Sequence, residues 1–307
     1  MRGRRRIALA GFGLAVAWLA ACTPASTSAP TPTALGDAAI TVGSFDFAES
    51  RLLAEVYSQA LERHGFTVRR AFGLGPREIV APALAQGLVE LVPEYAGTAL
   101  RFFSLGDATP SADPDATLEA LRRVLERTPL TALAGAPAQN ANTFVVTADT
   151  AEELGLRRLS DLKEVAPTLT FGGPPECPNR PLCLRGLEEV YGLRFGAILA
   201  LDPDGRAAAD ALDDGAADVA LLFTSDPEIT PGRFVELVDD QHLQPAESIT
   251  PLVRDEVIRQ WGEAVVGPID DVSRRLTTDG LRALNARAAG VDAAVVASEW
   301  LDAEGLR

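Results

Sequence analysis

Histidine, cysteine and tyrosine are scarce in this 307-residue chain, at two, three and three copies. With only His64 and His242, neither in a recognisable nucleophile motif, a Ser-His-Asp arrangement has no base to draw on. Neither histidine lies near the cysteines in sequence, so a zinc-type site is poorly supported and no metal is expected. No glycine loop of the P-loop kind is present to cradle a phosphate. Internal repeats are absent, and no cofactor is implied. The chain is therefore not expected to be an enzyme. Basic residues are also in deficit, 28 against 43 acidic ones, for a formal charge of −15. Such an acidic surface argues against nucleic acid or anionic membrane as partners and suits a secreted body that stays monomeric. Nor is the apolar run Ile7–Leu19 long enough for a stable membrane span.

That run follows Met1-Arg2-Gly3-Arg4-Arg5-Arg6 and precedes Leu19-Ala20-Ala21-Cys22. A basic flank, a short apolar core and small residues make a secretory signal over residues 1–21. Its end resembles a bacterial lipobox, whose cysteine becomes the lipid-carrying N-terminus after cleavage. Cys22 is therefore the expected lipidation site, and the extracytoplasmic face of a bacterial cell membrane the expected location. Cleavage leaves 286 residues and takes the formal charge to −19, because four arginines leave with the leader. Residues 22–37, mostly Thr, Pro, Ser and Ala, cannot bury enough surface to order themselves and read as a tether. Cys177 and Cys183 remain. In an exported chain so close a pair is expected to form a disulfide, in a loop stiffened by Pro174, Pro175, Pro178 and Pro181.

Beyond the tether, Ala38–Gly43 reads as a strand and Glu49–Arg63 as a helix with the buried stripe Leu52, Leu53, Val56, Ala60 and Leu61. Gly65 ends that helix. Phe66-Thr67-Val68 opens a second strand, and a second helix carrying Ile79, Val80 and Leu84 stops at Gly87. Leu88–Val92 is a third strand, whose ladder Pro93 is expected to stop. This alternation opens a parallel α/β sheet. Val92-Pro93-Glu94-Tyr95-Ala96-Gly97-Thr98 then falls at a strand's C-terminal edge, where open α/β sheets bind ligands. Alternatively it is an ordinary strand-to-helix turn, with Gly97 supplying a special backbone angle. Farther on, Asn140–Val146, Leu169–Gly173 and Asp218–Phe223 read as strands of a second lobe. Leu118, Leu121, Val124 and Leu125 mark a helix, and Val272 to Leu301 a helical tail.

Pro93–Thr98 resembles the PEYTGT motif of the periplasmic substrate-binding proteins of glycine betaine, carnitine and choline ABC transporters. The same family's opening GSKNFTEQ is similar to Gly43–Ser50, its LGSREV to Leu74–Ile79, and its TTD to Thr224-Ser225-Asp226. Val190-Tyr191-Gly192-Leu193 and Leu276–Leu281 are also typical. The resemblance spans nearly the whole chain after the tether. It implies an α/β, two-lobed periplasmic binding protein of type II, with a ligand cleft between lobes. Lobe I would be residues 38–145 and 248–307, and lobe II residues 146–247. An ABC permease in the membrane would be the partner. A sensor acting on a receptor, or a binder of an unrelated small molecule, are the alternatives.

The family's ligands are quaternary ammonium compounds, held by the faces of aromatic rings. Tyrosines that relatives carry in the hinge strand and before TTD are here Phe144 and Phe223, which keep the ring and lose the hydroxyl. The expected ligand contacts are Ser44, Asp46, Phe47, Tyr95, Thr98, Asn142, Phe144, Arg180, Phe223, Thr224 and Asp226. Phe144 and Phe223 could instead be core residues. Phe45 and Phe47 alternate along an extended segment, so at most one should face the cleft. Tyr57 is expected to pack in its helix. Asp46 either caps the first helix or attracts a cation. Arg180 is either a carboxylate partner or a solvated loop residue. Choline, glycine betaine or a bulkier cation such as ergothioneine is the expected ligand.

Overall fold

The computed structural model describes residues 39–202 and 205–306. The expected leader, the tether and Cys22 lie outside the described residues. The chain runs β1 (Ile40–Gly43), α1 (Ala48–Arg63), β2 (Val68–Ala71), α2 (Arg77–Gln86), β3 (Leu91–Tyr95), α3 (Ala96–Phe103), α4 (Pro114–Leu125) and β4 (Leu130–Ala132). It continues through β5 (Asn142–Thr147), α5 (Ala148–Leu154), β6 (Thr170–Gly173), α6 (Leu184–Gly186), β7 (Ala197–Ala200), α7 (Gly205–Asp213), β8 (Val219–Phe223) and β9 (Phe234–Glu236). It closes with β10 (Ile249–Arg254), α8 (Asp255–Trp261), α9 (Glu263–Arg275), α10 (Thr278–Ala288) and α11 (Ala293–Ala303).

Two five-stranded sheets result, ordered β2-β1-β3-β10-β4 and β7-β6-β8-β5-β9. Each is parallel except where a strand arrives from the other: β10 runs antiparallel to β3 and β4, and β5 antiparallel to β8 and β9. Each has its own apolar core, so the α/β, two-lobed expectation stands. The stripe of α1 is buried as expected, with Tyr57 inside the core and its hydroxyl 3.0 Å from Ser273 Oγ. Gly87 ends α2 at a φ of 76°, a left-handed angle glycine adopts without strain. The Thr277-Thr278-Asp279-Gly280 stretch is a helix start, Thr277 Oγ1 accepting the Gly280 amide at 3.1 Å.

Pro93 does not end its strand. It lies mid-β3, directly opposite Pro251 of β10, while the recorded pairing of β3 to β1 is at Leu91. Facing prolines cannot exchange amide bonds, so this is a position where the antiparallel ladder asks for none. The ladder therefore reaches Tyr95 and delivers its side chain to the sheet edge.

The boundary expected between Val145 and Val146 falls inside β5, which belongs entirely to the second sheet. We place the first crossing ahead of Asn142. It runs beside the returning segment: the Ala136 amide donates to Ile249 O at 2.8 Å, the Ile249 amide to Ala138 O at 3.1 Å and the Asn140 amide to Glu247 O at 3.0 Å. We propose this two-stranded crossing as the hinge.

Cys177 and Cys183 are joined in a disulfide, Cα atoms 5.2 Å apart. Both are buried in the lobe II core. So short a loop restricts the unfolded chain little, and replacing both cysteines by serine is expected to cost about 2 kcal/mol. Urea denaturation of the double variant measures it.

Candidate ligand-binding site

A cleft of about 950 Å3 lies between the lobes. Its lobe I wall is built by the β1–α1 connection and the β3–α3 junction. There the rings of Phe45, Phe47 and Tyr95 stack: Phe45 and Phe47 are 5.8 Å apart between centroids and 5° from parallel, and Tyr95 lies 6.4 and 6.0 Å from them. Both phenylalanines line the cleft, contrary to the alternation of an extended strand. The reason is local. The Phe45 amide donates to Ser50 Oγ at 2.9 Å and Arg51 Nη2 donates to Asp46 O at 2.6 Å, folding residues 45–47 over the first turn of α1.

Around this stack stand charges. Arg77 lies 5.1 Å from the Phe45 centroid and grips Glu94 through Nε and Nη2 at 3.0 and 2.9 Å. Its cation is thus largely committed inside lobe I, with a further bond to Thr98 Oγ1 at 3.0 Å. Glu49, in the first turn of α1 and 8% exposed, accepts from Tyr95 Oη at 2.7 Å, Asn140 Nδ2 at 2.6 Å and Asn285 Nδ2 at 2.7 Å. Burial first, and then Glu49, push the Tyr95 phenol well above its ordinary pKa, so it stays a donor. Glu247 accepts the Thr98 amide at 3.0 Å, and burial raises its carboxyl to about 7 against the pull of Thr98 and Arg77.

Lobe II contributes Phe223 at the end of β8, 45% exposed, and Asp226 just beyond it. Asp226 Oδ1 accepts the Glu228 amide at 2.9 Å. Gly205, at the start of α7, sits so close that a β-carbon there would fall 1.6 Å from Asp226 Oδ2. Among the described residues, the lining therefore holds Asp46, Glu49, Asp226 and Glu247 against one arginine, together with four aromatic rings.

Of the expected contacts, Asp46, Phe47, Tyr95, Thr98, Asn142, Phe223 and Asp226 line this cleft. Four others do not. Ser44 is buried, donating to Phe45 O at 2.9 Å and accepting the Gly73 amide at 2.8 Å. Phe144 is 1% exposed and packs on Phe171 within the lobe II core. Thr224 fastens the hinge, donating to Gln139 O at 2.8 Å and accepting the Ala141 amide at 3.1 Å. Arg180 pairs with Glu176 at 2.6 Å on an exposed loop, bordering a smaller adjoining groove. Asp46 does not hold the cap position of α1, which is Phe47.

Several lining residues went unnamed in the sequence. Glu49 and Arg77 stand inside motifs that carried the resemblance, so a signal existed for them. Asn140, Glu247 and Asn285 come from the hinge and α10, far along the chain, and only the fold brings them here.

The family model for the substrate-binding domain of ABC-type glycine betaine transport systems matches residues 38–303. The glycine betaine-binding protein YehZ of Escherichia coli (strain K12) is 28% identical over 87% of this chain and 90% of its own length. An ergothioneine transport permease/ergothioneine binding protein, EgtU of Helicobacter pylori (strain G27), is 24% identical over 89% of this chain and 49% of that protein. A crystal structure titled as a glycine betaine/carnitine/choline ABC transporter superposes with a TM-score of 0.80 at 25% identity, covering 87% of this chain and 99% of that one. The match to the family model takes in both lobes, the hinge and the cleft, and the chain belongs to the family of substrate-binding domains of ABC-type glycine betaine transport systems.

Proposed function

We propose that the cleft takes a quaternary ammonium or similarly bulky cation, and that the protein, a monomer tethered by lipid on Cys22, hands it to a membrane permease. The family to which the chain belongs serves ABC importers outside the cytoplasm, and this work requires no covalent chemistry. The observation carrying the ligand reading is the Phe45–Phe47–Tyr95 stack with buried carboxylates beside it. A trimethylammonium group has no hydrogen to donate, so carboxylates cannot hold it by hydrogen bonds. Ring faces hold it instead, each contributing on the order of 0.5–2 kcal/mol once water is excluded. Surrounding acids favour the cation at longer range. The same acids repel a ligand carboxylate, which favours choline-like or larger cations over a compact zwitterion.

Asp46 is exposed, so solvent and salt screen its pull on a cation. Asp46→Asn is expected to weaken choline binding by about twofold at low salt, with the difference fading as ionic strength rises. Titration calorimetry of choline and glycine betaine on both proteins is the test. Tight betaine binding by the wild type, unchanged in Asp46→Asn, would remove the preference for cations over zwitterions. The anchor is tested by labelling cells with a radioactive fatty acid: label on the wild type and none on Cys22→Ser is expected, and equal labelling sinks it.

A further inference from the structure

Glu247 belongs to the hinge by its backbone and to the cleft by its side chain. Its amide donates to Gln139 Oε1 at 2.7 Å and its carbonyl accepts the Asn140 amide at 3.0 Å, inside the two-stranded crossing. The carboxylate turns the other way, lines the cleft and is 7% exposed. Thr98 holds one oxygen with its amide at 3.0 Å and its hydroxyl at 3.3 Å. Gly97 is pressed against the other, where an added β-carbon would lie 2.8 Å away. The charged groups acting on it are Arg77 from α2 and Glu94 from β3, while Glu49 from α1 and Tyr95 from β3, bonded to each other, line the same cleft. Asp46 and, from lobe II, Asp226 line the same cleft. Arg77 closes on Glu94 at 2.9 Å and reaches Glu247 through its charge.

We propose that Glu247 is the proton-exchanging anion of this site: a cationic ligand binds the ionised carboxylate, so capture of the cation expels a proton from Glu247 and affinity falls in acid. This rests on the cation reading above. Burial, reinforced by Glu94, raises the empty site's carboxyl to about 7, while the Thr98 donors and Arg77 work against the rise. Near neutral pH the group is thus partly protonated. A cation arriving in the same low-dielectric space favours the charged form and drives the proton to solvent. The sign is fixed: a carboxyl whose pKa drops on binding gives tighter binding at higher pH, levelling off once the empty site is fully ionised.

Calorimetry with choline as probe, at pH 7 in phosphate and in Tris, counts the protons from the difference in apparent heat. About half a proton should leave per choline bound, and the dissociation constant should rise about tenfold between pH 8 and pH 6. In Glu247→Gln, which keeps an oxygen for the Thr98 amide, both effects should vanish. If that variant does not fold, the wild-type proton count and pH dependence still decide. Choline binding without proton exchange and without pH dependence overturns the proposal and leaves the cation reading intact. Proton release that persists in a folded Glu247→Gln also overturns it. Failure of choline and other quaternary cations to bind at any pH removes the cation reading, and this proposal with it.

Discussion

Tyr95→Ala is expected to weaken binding of a quaternary cation about thirtyfold, roughly 2 kcal/mol, with little dependence on salt. The ring closes the stack with Phe45 and Phe47, so its loss removes one face from the ligand and leaves Phe47 with Phe45 alone beside it. A second effect falls on folding. Tyr95 Oη supplies one of the three side-chain donors to the buried Glu49 carboxylate, the others being Asn140 and Asn285. Withdrawing a donor from a buried charge costs about 1–3 kcal/mol of stability. Tyr95→Phe separates the two. It keeps the ring and most of the affinity but should show the stability loss. Calorimetry and urea denaturation on both variants supply the comparison, and an unchanged affinity in Tyr95→Ala would mean the stack is not the binding surface.

Gly97→Ala should damage the fold and the cleft together. Gly97 does not have a positive φ, so the reading of a special backbone angle fails; what it needs is space. A β-carbon there would meet Ala246 O at 2.7 Å and Glu247 Oε1 at 2.8 Å. The first is a backbone oxygen of the returning hinge segment and cannot swing aside. Either α3 or the hinge must shift, at a cost of about 2–3 kcal/mol and a melting temperature lower by about 5 °C. Ligand affinity should fall with it, because Thr98 and Glu247 are displaced together. Gly290→Ala is the control. Nothing lies within 4 Å of its added carbon, and its effect should stay within about 0.5 kcal/mol. Thermal scans of the two variants compare them directly; a Gly97→Ala protein as stable as the control would show that the close approach is not real.

The fold was legible where local chemistry agrees with tertiary structure. The stripe of α1, the glycine ending α2 and the apolar runs of β6 and β8 each announce themselves. β10 did not, although it sits between β3 and β4 in the first sheet, because Pro251 interrupts its pattern and only Pro93 opposite makes that tolerable. The short strands β4 and β7, with alanine among their few residues, carry little period to read. For the cleft, motif positions pointed to Phe47, Tyr95 and Asp226, and all three line it. They misled at Phe144, because the ring points into the lobe II core and not toward the gap. Glu247 and Asn285 could not be found without the fold, since nothing near them in sequence marks a ligand site.

The most direct test of the central claim compares choline with its neutral carbon isostere, in which a tert-butyl group replaces trimethylammonium. Shape and apolar surface are nearly matched, so the difference reports the charge. Titration of the wild-type protein with both should find choline tighter by about thirtyfold or more, as ring faces and surrounding carboxylates act on the cation alone. Equal affinity for the two would contradict the account, because the cleft would then be reading bulk and not charge.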